Sequence, residues 1–309
     1  PGFVLLSNAF DRFLEETDLN VEVDAILHTV NHQEMHTVEG ASEKIQALIL
    51  AAPMPKDIEK EIKSHFKKMG AEFVAVRSSA TAEDSSTAAW AGQLDTFLNT
   101  TADDLLQNVK RCWASLFTPR AIFYRFEKGL HDTHISVAVV IQKMIESEVS
   151  GIAFSVHPVT EDRNQLIIEA GFGLGEAIVS GQITPDSYVV EKSPRRIVDK
   201  NISEQERGLY RASLYPSKVK PGESEGSEEL GGGEGDSANV WEDISKTKGA
   251  EQKLSDKHIL ELAELVIRIE NHYGFPCDIE WAFATCPNAE GWRYGQFYIT
   301  QSRPITTLR

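Results

Sequence analysis

Cysteine is scarce in this sequence. Its three copies, Cys112, Cys277 and Cys286, form no CxxC pair, and so odd and sparse a set makes no disulfide framework. No apolar run approaches the roughly 20 residues of a membrane span. The opening Pro1-Gly2-Phe3-Val4-Leu5-Leu6 lacks the charged region and cleavage site of a secretory signal. Positive charge is in deficit as well: 31 Lys and Arg face 47 Asp and Glu, a formal net charge of -16. A broad nucleic-acid-binding face needs clustered Lys and Arg, and anionic lipid repels an acidic surface. No nucleic-acid or membrane partner is therefore expected, and the cytoplasm is the default compartment. What is present, 41% hydrophobic and 25% charged residues over 309 positions, is globular composition and excludes a disordered or collagen-like chain.

Periodicity divides the chain into a helical part and a strand-rich part. A helix capped by Ser7 with Phe10, Phe13 and Leu14 on its stripe is predicted, then helices over 39–51 and 55–69, the second opened by Pro55 and closed by Gly70. Phe73-Val74-Ala75-Val76 reads as a buried strand and 94–98 as another. A helix over 102–117 with Thr101 as cap follows, and one from Pro119 to Lys128. From Ile135 the period becomes that of strands: 135–144, 151–156, 165–169 and 187–191. Residues 216–250, with Gly231-Gly232-Gly233-Glu234-Gly235, are expected as an acidic flexible loop. Ser255 then caps a helix with a Leu254/Ile259 staple, and strands over 278–283 and 294–301 close the chain. The expectation is an α+β protein with an α-rich first lobe over 1–130 and a β-rich second lobe over 131–309.

Two constellations could carry chemistry. In Val76-Arg77-Ser78-Ser79-Ala80-Thr81-Ala82-Glu83-Asp84 a buried strand runs into small hydroxyl residues beside a guanidinium. That reads either as a flexible loop whose donors meet phosphate oxygens, or as a capped turn with a surface arginine. In Asp278-Ile279-Glu280-Trp281-Ala282-Phe283, period two places Asp278, Glu280 and Ala282 on one face and the large apolar residues on the other. On the partner strand the same period groups Phe297, Ile299 and Gln301, with Arg303 just beyond. Glu280 and Gln301 would present hard oxygens suited to Mg²⁺, and Arg303 could hold a terminal phosphate.

Taken in order, further blocks resemble the nucleotide-binding domain of the phosphoenolpyruvate synthase (pyruvate, water dikinase) family and its relatives. They are 76–84, Ala91-Gly92-Gln93-Leu94-Asp95-Thr96-Phe97-Leu98-Asn99, Val140-Ile141-Gln142-Lys143-Met144, 150–160, 171–176, 180–186, Asp278-Ile279-Glu280-Trp281 and Gln301-Ser302-Arg303-Pro304. The resemblance implies an ATP-grasp fold with ATP and Mg²⁺ between two lobes. It makes Arg77 the phosphate-contacting arginine, places Gly92 and Thr96 along the phosphate loop and puts Gln142 on the hinge beside the adenine. It makes Glu280 and Gln301 the metal- and phosphate-side pair, and Arg303 the terminal phosphate-side arginine. In that family phosphoryl passes from Mg·ATP to a histidine on a swivelling domain and then to pyruvate on a barrel domain, so those two domains are the implied partners. The family's Gly-Gly-Lys-Gly segment precedes a Pro-Gly-Phe like the one opening this chain, so the expectation is the nucleotide part of a longer enzyme with weakened ATP affinity. Arg-Ser-Ser-Ala leans toward the water-dependent synthases and the rifampicin phosphotransferases. The alternatives are the nucleotide half of such an antibiotic phosphotransferase and a non-catalytic ATP-binding regulatory module.

Other signals carry less. His28, His32 and His36 would share a helical face and could hold a transition metal, yet histidines at this spacing are common on surfaces. His157 reads as a loop histidine. Gly171-x-Gly173-x-Gly175 lacks the dinucleotide spacing and suggests a turn with positive φ. Trp90 and Trp113 read as packing residues.

Overall fold

The structure, a computed structural model, describes residues 1–80, 94–130, 133–212, 239–287 and 293–305. Gly92, Trp90 and the Gly-rich run 231–235 lie outside them. The fold is α+β, and the described chain forms two units, Pro1–Met144 and Ile145 onward.

In the first unit, β1 (Gly2–Leu5), β2 (Val74–Ala80), β3 (Thr96–Thr100) and β4 (Val137–Lys143) form an antiparallel sheet in the order β1-β4-β2-β3. The helices are α1 (Ser7–Glu16), α2 (Leu19–Leu27), α3 (Met35–Ala51), α4 (Lys56–Met69), α5 (Leu105–Ala114) and α6 (Pro119–Glu127). Alternation decides which sheet face they cover. Val74 and Val76 of β2 and Val137, Val139 and Ile141 of β4 are fully buried in one core with Phe10, Ile45, Val109 and Trp113. Trp113 is the packing residue expected, its ring 5.5 Å from Phe10 and 4.9 Å from Phe13. α4 closes on Gly70 at φ 60, the left-handed cap that glycine adopts without a Cβ penalty.

Several local expectations change here. β2 continues through Arg77-Ser78-Ser79-Ala80, each paired with β4, so this part of the expected loop is strand. Ser78 Oγ donates to Asp95 O at 2.6 Å, giving a small hydroxyl residue a partner that a polar strand end needs. Leu6, not Ser7, occupies the α1 cap. The Thr101 hydroxyl donates to Asp104 Oδ2, and α5 starts only at Leu105. His28 ends α2, His32 lies in a turn and His36 in α3, so the three histidines share no face. β4 joins the first sheet, so a cut at 130/131 would separate it from β1 and β2.

The second unit is built on an antiparallel sheet of order β12-β11-β5-β6-β7-β8. Its strands are β5 (Val149–Phe154), β6 (Gln165–Phe172), β7 (Asp186–Glu191), β8 (Arg196–Asn201), β11 (Cys277–Pro287) and β12 (Arg293–Pro304). β9 (Arg207–Arg211) and β10 (Asn239–Asp243) pair separately; α7 (Glu176–Val179), α8 (Lys246–Gly249) and α9 (Asp256–Tyr273) complete the unit. β10 and α8 fall inside the expected loop 216–250, because Val240-Trp241 pairs with Leu209-Tyr210 and Ser245 caps a helical turn. α9 follows its sequence signals. The Ser255 side chain accepts from His258 N, and Leu254 and Ile259 are buried. Ile259, Leu262, Ala263 and Val266 pack on Ile279, Trp281, Phe283 and Tyr188 in the second core. Tyr273, at the end of the helix, is exposed. Beneath α9 a fully buried ion pair joins Lys253 Nζ to Asp186 Oδ1 at 3.0 Å. The Tyr188 hydroxyl donates to Asp186 Oδ2 at 2.6 Å, which satisfies the remaining carboxylate oxygen.

Candidate functional site

Each unit presents a sheet face that its helices leave less buried, and the predicted residues gather there. In the first unit Arg77 lies opposite Thr96 on β3 and Val140 on β4, while Gln142 lies opposite Ala75 on β2 and Gly2 on β1. Because paired residues share a side and positions two apart along a strand do too, Arg77, Thr96 and Gln142 stand on one face. This is the face opposite Val76 and Ile141. Arg77 and Gln142 are half-buried and Thr96 is exposed.

In the second unit a β-bulge sets the geometry. Asp278 pairs with Arg303 and Glu280 with Gln301, but Trp281 pairs with Ile299, leaving Thr300 as the extra residue. Strict alternation from Phe297 and Ile299 would send Gln301 toward the core. The bulge shifts the phase by one residue and re-aims Gln301 and Arg303 onto the face of Glu280 and Asp278. The expected grouping of Gln301 with Phe297 and Ile299 is therefore corrected, while the pairing of carboxylate and amide is present. On the other side Phe297 packs against Phe283 at 4.9 Å and Trp281 at 5.7 Å, so the apolar half stays with the core.

Two further residues belong to this face. Asp278 Oδ2 accepts from Arg303 Nε at 2.9 Å and lies 2.8 Å from Nη2, holding the guanidinium in place. Glu169 of β6 pairs with Ile152, which pairs with Glu280, so Glu169 and Glu280 share the face two strands apart. Burial, and secondarily the charge of Asp278, pushes the Glu169 carboxyl above its ordinary range. Sequence reasoning missed Glu169 because only the sheet order brings β6 near β11. Asp278 was visible on the right face, but its partner was not. Among the described residues no group of three or more His, Cys, Asp or Glu forms a ready-made metal cage. The donors on this face, Glu280 and the Gln301 amide, suit Mg²⁺, which takes one or two carboxylates and keeps waters or substrate phosphates for its other positions.

The remaining sequence signals have structural explanations. His157 Nδ1 accepts from the backbone of Val159 and Thr160 at 3.3 and 3.2 Å, tying off a turn. Gly173 has φ 93, and a Cβ there would lie 2.5 Å from Leu209 O. A turn with a close backbone approach accounts for that glycine.

A face of hard oxygens beside a tethered arginine has the chemistry to meet phosphate and a hard cation, and comparison with known proteins sharpens that class. The chain belongs to the pyruvate phosphate dikinase, AMP/ATP-binding domain family, which it matches over residues 1–309. It is 39% identical over 316 residues to a probable phosphoenolpyruvate synthase of Methanocaldococcus jannaschii, covering 100% of this chain and 24% of the relative. To the phosphoenolpyruvate synthase of Pyrococcus furiosus it is 42% identical over 279 residues, 87% of this chain and 31% of the relative. The rifampicin phosphotransferase of Bacillus subtilis is 36% identical over 310 residues, 99% of this chain and 32% of that protein. The chain thus spans about a quarter to a third of these relatives' lengths. Among the described residues no helix is long and apolar enough to cross a membrane.

Proposed function

We propose that this chain is the ATP-using module of a phosphoenolpyruvate synthase-like phosphotransferase, built on an ATP-grasp fold with the nucleotide between its two lobes. The observation that carries the reading is the bulged β11–β12 pair, which sets Glu280, Gln301, Asp278 and Arg303 on one face in a chain of an ATP-binding family. Phosphoryl transfer asks the protein chiefly for positioning and charge neutralisation. In this reading Arg77 and Arg303 donate to phosphate oxygens, and Gly92 and Thr96 line the phosphate loop. Gln142 lies on the strand whose backbone reads the adenine edge. Glu280 and Gln301 would hold Mg²⁺, which when bound neutralises phosphate charge. Asp278 keeps the Arg303 fork oriented. The phosphoryl group goes to a histidine on a separate swivelling domain and finally to pyruvate on another, both supplied by the longer enzyme, in the cytoplasm. The second reading, the nucleotide part of a rifampicin-type phosphotransferase, is supported by the 36% identity to that relative over 99% of this chain.

Calorimetry with Mg·ATP tests the site. Wild type should release heat, and Arg77→Ala and Glu280→Gln should weaken binding by about tenfold or more, the scale of a lost charge-assisted hydrogen bond. Equal affinity in these variants would remove the assigned residues from the site. Supplying a histidine-domain protein with labelled ATP, then pyruvate or rifampicin, separates the two acceptor readings by which product takes the label.

A further inference from the structure

The first unit holds a cavity of about 550 Å³ that none of the nucleotide-site residues lines. It lies among α1, α2, α6 and the segment leading into β4. Its floor is buried and apolar, with Phe10, Val23, Phe117 and Ile122, and its mouth carries the exposed Asp24, His28, Thr133 and His134. The volume lies within the range of small-molecule sites, which are mostly apolar with a few placed polar groups.

One group in that lining has no counter-anion among the described residues. Arg125 is 7% exposed, and its Nη2 donates to Thr133 O at 3.0 Å. Among the described residues no carboxylate stands within ion-pair distance of it. A guanidinium carries five donors, and Arg125 lines the cavity with one hydrogen bond from its side chain among the described residues. Burying a cation without an anion is costly, and desolvation lowers the Arg125 pKa from its ordinary value. A backbone tie to Thr133 alone needs only one of those donors. A ligand anion would use the rest bidentately.

We propose that this cavity is a binding site for a small monocarboxylate on an apolar body, its carboxylate on Arg125 and its tail against Phe10, Val23, Phe117 and Ile122. A single guanidinium matches a single negative charge, and Asp24 at the mouth disfavours a polyanion such as a nucleotide. The site is therefore independent of the ATP site.

Octanoate, 1-octanol and octylamine are the probes, titrated by calorimetry into the whole chain with and without saturating Mg·ATP. Octanoate should bind more tightly than octanol, octylamine more weakly, and Mg·ATP should not compete. Arg125→Met should weaken octanoate about tenfold or more and leave octanol unchanged. Leu27→Trp, which fills the cavity from its wall while keeping Arg125, should abolish binding of both. The proposal is overturned if octanoate binds no better than octanol, if it fails to bind at millimolar concentration, or if Leu27→Trp leaves its affinity intact. Should Arg125→Met fail to fold, the comparison of the three head groups and the Leu27→Trp variant decide the matter.

Discussion

Glu169 shows how one residue reports on its surroundings. Its carboxyl is raised above the ordinary 4.5 by burial first and by the charge of Asp278 second. Between the ordinary and the raised value the folded chain keeps a proton that the unfolded chain gives up. Stability therefore falls as pH rises through that window and stays lower above it. Glu169→Gln removes the charge, so its melting temperature should exceed wild type at about pH 7.5, the gap closing toward about pH 4. Calorimetric melting across that range checks the sign. A gap that widened in acid would mean that Glu169 is stabilised in its charged form. Mg²⁺ bound on the same face should narrow the neutral-pH gap, since a cation favours the carboxylate.

At the scale of elements, β12 carries the most testable arrangement. Ile299 and Gln301 are two residues apart, yet the bulge puts one on the core and the other on the polar face. Ile299→Gln should cost about 1–3 kcal/mol, an amide pressed against the apolar core that Ile299, partly buried, packs on. Gln301→Leu, at a half-buried position on the polar face, should cost less than Ile299→Gln while weakening Mg·ATP. Urea unfolding and calorimetry on the pair provide the comparison, and equal destabilisation would contradict the register. The bulge also marks a limit of sequence reading. Helix α9 was legible from its Ser255 cap, Leu254/Ile259 staple and apolar stripe, and β11 from its alternation, because those signals are local. α2 was not, since Leu19-Asn20-Val21-Glu22-Val23-Asp24 alternates in period two and the helix is held by packing Leu19 and Val23 into the core. β2 looked shorter than it is because Ser78 and Ser79 resemble a loop until β4 is beside them. Glu280, Gln301, Arg77 and Gln142 could be picked out as residues. The tether of Arg303 to Asp278 and the approach of Glu169 depend on strand order, which no local pattern encodes.

For the molecule as a whole, the two units rest on separate cores, one around Trp113 and Ile45 and the other around Trp281 and Val266. Damage to one should stay there. Val266→Ala, a methyl-deleting change at a fully buried site, should cost about 1–3 kcal/mol. It should speed hydrogen exchange in α9 and β5–β7 while leaving β1, β2 and β4 at wild-type rates, measured by mass spectrometry. Uniform acceleration would show that the units unfold as one. The formal charge of -16 gains meaning at this scale: the carboxylates of the polar face sit beside arginines that are few and individually placed, so an anion is met by position more than by bulk attraction.

The extra residue at Thr300 leaves a trace that needs no coordinates to detect. Along β12 the tolerance of substitution should oscillate with a period of two, its sensitive crests for folding at 295, 297 and 299. Past 300 the oscillation should slip by half a cycle, so that 301 and 303 become troughs for folding and crests for nucleotide binding. A deep mutational scan scored separately for abundance and for ATP binding would display two waveforms in step up to Ile299 and out of step after it.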